Sequence, residues 1–193
     1  QQLQAENILN QYEVLKNQLN PHMLFNSLNT LRSLVREDQD KAQEYIQELS
    51  RVLRYTLQGN DSKSVTLRDE MEFVSAYIFL LKMRFEDNLS FDIRIDKQYD
   101  DHRLPPMAVQ MLIENAVKHN EISDRRPLSI RVYTEGEELV VTNPVQPKLT
   151  ATAGTGVGLA NLAKRYHLLY KCEIQITENK YFTVRIPLIP NAL

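Results

Sequence analysis

The sequence predicts a helical hairpin followed by an α+β sandwich, that is, an α part joined to an α+β part. Three observations carry this reading. Residues 1–58 contain no glycine and a single proline, Pro21, and their apolar residues recur at helical spacing. The run Gly59-Asn60-Asp61-Ser62-Lys63-Ser64 is polar and linker-like. Beyond it, strand-like alternation and helix-like periodicity are mixed. The expected division is a hairpin over 1–63 and a second domain over 64–193.

In the first part, Ala5, Ile8, Tyr12, Leu15 and Leu19 follow steps of three and four, a heptad-like seam. The stripe resumes as Leu24, Leu28, Leu31 and Val35, and the five-residue step from Leu19 to Leu24 breaks its phase. Either Asn20 caps a helix with Pro21 at its first position, or Pro21 kinks one continuous helix. His22, Asn26, Asn29 and Ser33 form a polar stripe roughly opposite the leucines, which are expected to face a bundle core. A turn near Asp38 and Asp40 starts a second helix with Tyr45 or Ile46, Leu49, Leu53 and Leu57 inward, ending at Gly59. The apolar surface exceeds what one hairpin can cover, so a four-helix dimer is expected.

In the second part, Thr66 and Asp69 fit a capping box for a helix through about Phe85. Leu89, Phe91, Ile93 and Ile95 alternate as in a half-buried strand. Pro105 and Pro106 precede a helix from about Met107 to His119. Leu128, Ile130 and Val132 read as a strand, Leu139 to Thr142 as another, and Gly136 suits the hairpin turn between them. A Pro/Thr/Gly-containing loop leads into a helix from about Gly158 to Tyr170. Two strands, 172–178 and 181–188, flank a turn at Asn179-Lys180.

Composition narrows the function. Hydrophobic residues make up 42% and charged residues 25%, enough apolar material for a core. A formal charge of −2 without a basic cluster argues against direct nucleic-acid binding. The lone Cys172 cannot form an intramolecular disulfide, which suits a reducing compartment. No apolar run approaches a membrane span and no signal peptide is visible. The chain opens on Gln1 within a helical pattern and reads as a fragment of a longer protein. Membrane contact is therefore expected only through an upstream segment.

Two elements carry chemistry. Gly154-Thr155-Gly156-Val157-Gly158-Leu159 sits between a loop and a helix, where glycines admit phosphate close to the backbone and a helix N-terminus offers N–H donors. It is neither a Rossmann fingerprint nor a Walker loop. Glu114-Asn115-Ala116-Val117-Lys118-His119-Asn120 lies on a predicted helix. There Asn115 can bind a hard cation through its amide oxygen, and Lys118 supplies charge for phosphate. Taken singly, these residues also read as a solvated helix face. His102 and His167 have no partner at ligand spacing.

Together and in this order, the two elements resemble the nucleotide boxes of the ATPase family that holds gyrase B, Hsp90, histidine kinases and MutL. Leu104-Pro105-Pro106-Met107, Gln110 and Glu114 to His119 resemble the LytS-type sensor histidine kinases more closely, as does Leu80-Leu81-Lys82-Met83-Arg84-Phe85. The stretch Gln18-Leu19-Asn20-Pro21-His22-Met23-Leu24-Phe25-Asn26-Ser27-Leu28-Asn29 is similar to that family's phosphoacceptor box.

The resemblance implies a Bergerat-type α/β sandwich that binds ATP and Mg²⁺ and phosphorylates His22. Asn115 would hold Mg²⁺. Lys118, with His119 beside it, would lie near phosphate, and Gly154, Gly156 and Gly158 would line the ATP lid. It further implies a homodimer, a response-regulator partner (often of the LytTR type), and a cytoplasmic domain beneath an inner-membrane sensor. Asn26, one turn after His22, would position water for dephosphorylating a regulator, or merely trims the helix surface. Two departures stand out. Asn143 occupies the position of an adenine-binding Asp, with both following glycines absent, and Met23 replaces the acid that often follows the phosphoacceptor. They motivate an alternative, a catalytically silent nucleotide-binding dimeric scaffold. A phosphatase-biased kinase differs only in the balance of reactions.

Overall fold

The computed structural model describes Leu3 and residues 21–58, 62–150 and 156–191. The seam from Ala5 to Leu19, the alternatives at Asn20, the end at Gly59 and Gly154 lie outside these residues. Helices α1 (Pro21–Glu37) and α2 (Gln39–Gln58) form the hairpin. Asp38 joins them: its N–H donates to the Leu34 carbonyl, and its side chain accepts from the Lys41 N–H at 3.1 Å, capping α2.

The inward stripe of α2 is Ala42, Tyr45, Leu49, Val52 and Thr56. Tyr45 is thus the inward member, while Ile46 and Leu57 are exposed. Leu57 was expected inward and is not. The α1 stripe is also rotated by about one residue. Met23, Ser27, Leu31 and Leu34 pack inward, whereas Leu28 and Val35 are 50% and 52% exposed. Ser27, on the edge so turned inward, is buried and lines one cavity with Tyr45 of α2.

The second part begins with β1 (Val65–Thr66) and α3 (Leu67–Phe85), whose cap is the Thr66 hydroxyl accepting from the Asp69 N–H at 3.2 Å. Strands β2 (Leu89–Arg94) and β3 (Arg103–Leu104) precede α4 (Ala108–His119). Then come β4 (Leu128–Glu135), β5 (Glu138–Pro144), α5 (Val157–Tyr170), β6 (Gln175–Glu178) and β7 (Tyr181–Pro187). Five strands form one sheet in the order β2-β4-β5-β7-β6, with only β2 and β4 parallel. Gly136, at φ +58°, turns β4 into β5. β1 pairs with β3 as a separate two-stranded ribbon.

Strand β4 alternates as half-buried strands do: Leu128, Ile130 and Val132 are buried, and Ser129 and Arg131 are exposed. Their face shares one core with Leu80 and Leu81 of α3, Leu112 and Ile113 of α4, and Leu162 and Tyr166 of α5. Tyr45, Leu49 and Val52 of α2 join that same core. The hairpin is packed on the sandwich as well as followed by it, and Tyr55 stacks on Phe73 with ring centroids 4.2 Å apart.

Candidate functional site

His22 stands exposed in the first turn of described α1, with Asn26 one turn on. The Asn26 side-chain N–H donates to His22 Nδ1 at 3.1 Å. A neutral ring held this way carries its proton on Nε2. The amide turned over would accept from Nδ1–H instead and leave Nε2 with a bare lone pair. Both side chains line a cavity of about 500 Å³ whose other walls include Arg84 of α3, Glu114 and Lys118 of α4, and Lys148 after β5. The first two members of the polar stripe thus face the sandwich, while Asn29 and Ser33 are exposed.

The α4 helix is held at both ends by buried polar groups that periodicity does not reveal. Glu70 of α3, fully buried, accepts from the Met107 N–H at 3.1 Å and the Val109 N–H at 3.2 Å at the α4 N-terminus. It also accepts from the Tyr55 hydroxyl of α2 at 2.7 Å. Burial pushes its carboxyl upward, opposed by these donors. Met107 sits in the left-handed region at φ +64°.

At the other end, Asn120 donates to the Ala116 carbonyl at 2.8 Å and accepts from the Gln146 N–H at 2.9 Å. The Gln146 amide donates to the carbonyls of Glu121, Arg126 and Pro127. This clamp fixes the segment that carries Lys148. Only Asn120 lay in a stretch that the sequence singled out, and Glu70 and Gln146 carried no sequence signal.

Of the other expected residues that are described, Lys118 alone lines the cavity beside His22 and Asn26. Asn115 is half-buried on α4. Gly156 precedes α5 at φ +61°, and a Cβ on Gly158 would meet Met111 Sδ at 3.4 Å. Met111 is one helical turn before Asn115, so the glycine segment abuts the asparagine-bearing helix. Asn143 is 2% exposed on β5 and donates its side-chain N–H to the Pro144 carbonyl at 2.8 Å.

His119 is lowered from its ordinary value by partial burial and then by Lys118 and Lys148, which marks a cationic neighbourhood. Among the described residues no group of three or more His, Cys, Asp or Glu could hold a metal ion. A cation at Asn115 would draw most ligands from water and phosphate, as Mg²⁺ does. His167 pairs with Glu173 at 2.8 Å on the surface, and His102 meets Tyr99 edge-on. Neither histidine takes part in the site. No helix among the described residues is long and apolar enough to cross a membrane.

Comparison with known proteins bears on the family. Residues 10–89 match the histidine kinase family model. The sensor protein LytS of Streptococcus agalactiae is 34% identical over 176 residues, covering 82% of this chain and 30% of that protein. The sensor histidine kinase BtsS of Escherichia coli is 33% identical over 186 residues, covering 91% of this chain and 33% of that protein. The chain therefore spans about a third of the length of the curated relatives it matches. The cytoplasmic segment of histidine kinase QseC superposes with a TM-score of 0.49 at 12% identity, over 79% of this chain and 95% of that one. The two long sequence matches and the family match assign this chain to the histidine-kinase family, as a domain similar to those of LytS and BtsS.

Proposed function

We propose that the chain is the kinase core of a LytS-type two-component sensor. Its 64–193 domain binds Mg·ATP, and its 1–63 hairpin presents His22 as the phosphoacceptor. The observation that carries this is that His22 of the hairpin and Lys118 of the sandwich line one cavity. An acceptor imidazole and a phosphate-binding charge so placed meet the need for positioning that dominates phosphoryl transfer.

Asn115 would hold Mg²⁺, which supplies charge neutralisation at the phosphates when bound. Asn143 would accept from the adenine amino group. Gly154, Gly156 and Gly158 would let the backbone close over phosphate, and Lys118 with His119 would flank it. A neutral His22 nitrogen attacks the γ-phosphorus. The N–P bond forms as the bond to the β–γ bridging oxygen breaks, ADP leaves with that electron pair, and the ring's Nδ1 proton passes to solvent. With Met23 in place of an acid, Asn26 takes over the orienting task. Its amide oxygen, turned to Nδ1–H, fixes the tautomer that bares Nε2. The same amide can position water against a regulator's phosphoryl group.

The exposed Phe25, Leu28 and Val35 of α1 and Ile46 and Leu57 of α2 support a homodimer through the hairpin. The partner downstream would be a response regulator, of the LytTR type by resemblance. The domain would work in the cytoplasm, tethered to an inner-membrane sensor through chain upstream of Gln1.

The test is incubation with γ-labelled ATP and Mg²⁺. The native chain should label and His22→Gln should not. Nucleotide binding without labelling of the native chain would favour the silent scaffold, which the buried neutral Asn143 and the missing acid at Met23 motivate.

A further inference from the structure

Three cations reach the His22 cavity from three different elements: Arg84 near the end of α3, Lys118 in the last turn of α4, and Lys148 after β5. Among the described lining residues Glu114 is the one acid, so three positive charges and one negative leave an excess of +2 with the imidazole neutral. The Glu114 carboxylate already accepts from the Gln110 side chain at 3.0 Å.

Among the described residues, none of the three cations has a hydrogen bond or ion pair. By contrast Arg68, Arg94, Arg126, Arg131 and Arg185 each meet a carboxylate. The Arg84 guanidinium lies over the Phe85 ring, 4.6 Å from its centroid. Stacking of this kind orients the fork while leaving its N–H donors unspent. The groups also feel one another: Lys148 is lowered by partial burial and then by Arg84, and His119 by burial and then by Lys118 and Lys148. Like charges gathered around a cavity are relieved by an anion inside it.

We propose that Arg84 and Lys148, acting with Lys118, form an anion site that holds the phosphoryl group beside His22. The inference rests on the kinase reading and adds to it two residues outside the nucleotide boxes. During transfer, charge spreads over the three non-bridging oxygens of the phosphoryl group. A guanidinium can bind two of these at once, and an ammonium the third. On the imidazole side, such a site would also retain the phosphoryl group after ADP leaves. Arg84 is exposed while it lines the cavity, so its replacement need not disturb the core.

The test has two arms, both on the full chain. In the first, inorganic pyrophosphate is titrated while the His22 ring resonances are followed by NMR. Arg84→Met should weaken binding roughly tenfold, Lys148→Met by a smaller factor, and Arg84→Lys should recover part of the loss. In the second, labelling from γ-labelled ATP is resolved into kcat and KM. Arg84→Met should lower kcat by about tenfold or more and leave KM for ATP within about twofold, since adenine is held elsewhere.

Native pyrophosphate binding and labelling in both Met variants would overturn the anion site, and if His22 still labels, the kinase reading survives. Arg84-dependent pyrophosphate binding without any labelling of the native chain would keep the anion site and overturn the kinase reading. Should Arg84→Met unfold, Lys148→Met in its exposed segment decides.

Discussion

Replacing Glu70 with alanine would remove the acceptor at which hairpin and sandwich meet. Three donors lose it: the Tyr55 hydroxyl at 2.7 Å, the Met107 N–H at 3.1 Å and the Val109 N–H at 3.2 Å. A hydrogen bond to a charged group contributes roughly 1.5–3 kcal/mol, and a buried donor left bare costs roughly 1–3. These do not sum, because the donors share one carboxylate and the ion's own desolvation is relieved. Breaking a buried charged cluster by removing one member costs about 3–5 kcal/mol, and we expect Glu70→Ala to fall there. With a urea slope of about 2 kcal/mol/M, typical of small proteins, the midpoint should drop by about 1.5–2.5 M.

The companion change is Tyr55→Phe, which keeps the stack on Phe73 and loses only the hydroxyl. Alone it should cost about 1 kcal/mol; in the Glu70→Ala background it should cost almost nothing. Urea unfolding followed by far-ultraviolet circular dichroism measures both. A midpoint shift under about 0.5 M for Glu70→Ala, or strict additivity with Tyr55→Phe, would refute the joint.

Further outcomes follow from neighbouring features. Burial raises the Glu70 carboxyl, so the folded state holds its proton more tightly than the unfolded one. Stability from this group is complete below the ordinary carboxylate range and is lost as pH rises through the folded pKa. The urea midpoint of the native chain should therefore fall with pH above that range relative to Glu70→Gln, and a parallel pair of curves would count against it. Gly136→Ala, at φ +58°, should cost about 1–2 kcal/mol in thermal unfolding and leave nucleotide affinity unchanged. Asn143→Ala should weaken ATP by about 0.5–1.5 kcal/mol, roughly two- to tenfold by calorimetry; undiminished affinity would remove Asn143 from the adenine site. Leu28→Asp should dissociate the dimer in sedimentation, and an unchanged mass would place the interface elsewhere.

The elements that periodicity reports well were legible. Alternation gave β2 and β4, Gly136 gave the β4–β5 turn, and Thr66 gave the start of α3. What periodicity missed includes buried polar groups and strands too short to show a period. Ser27 is buried while Leu28 and Val35 of the expected inward stripe are exposed. Glu70, in the first turn of α3, carries no sequence signal and is fully buried. The β1–β3 ribbon has two residues a side, too short for any period. In the site, the order of boxes singled out His22, Asn115 and the glycine segment, but Arg84 and Lys148 reach the cavity that His22 lines only through the packing of α3, α4 and the segment after β5.

Locating the phosphoryl group tests the central claim most directly. The native chain is incubated with Mg·ATP, digested under alkaline conditions that preserve phosphohistidine, and mapped by mass spectrometry. The account predicts one acid-labile phosphoryl group on the peptide Asn17–Arg32, on His22, absent from His22→Gln and present in Asn26→Ala. A phosphoryl group on any other residue, or undiminished labelling of His22→Gln, would contradict it.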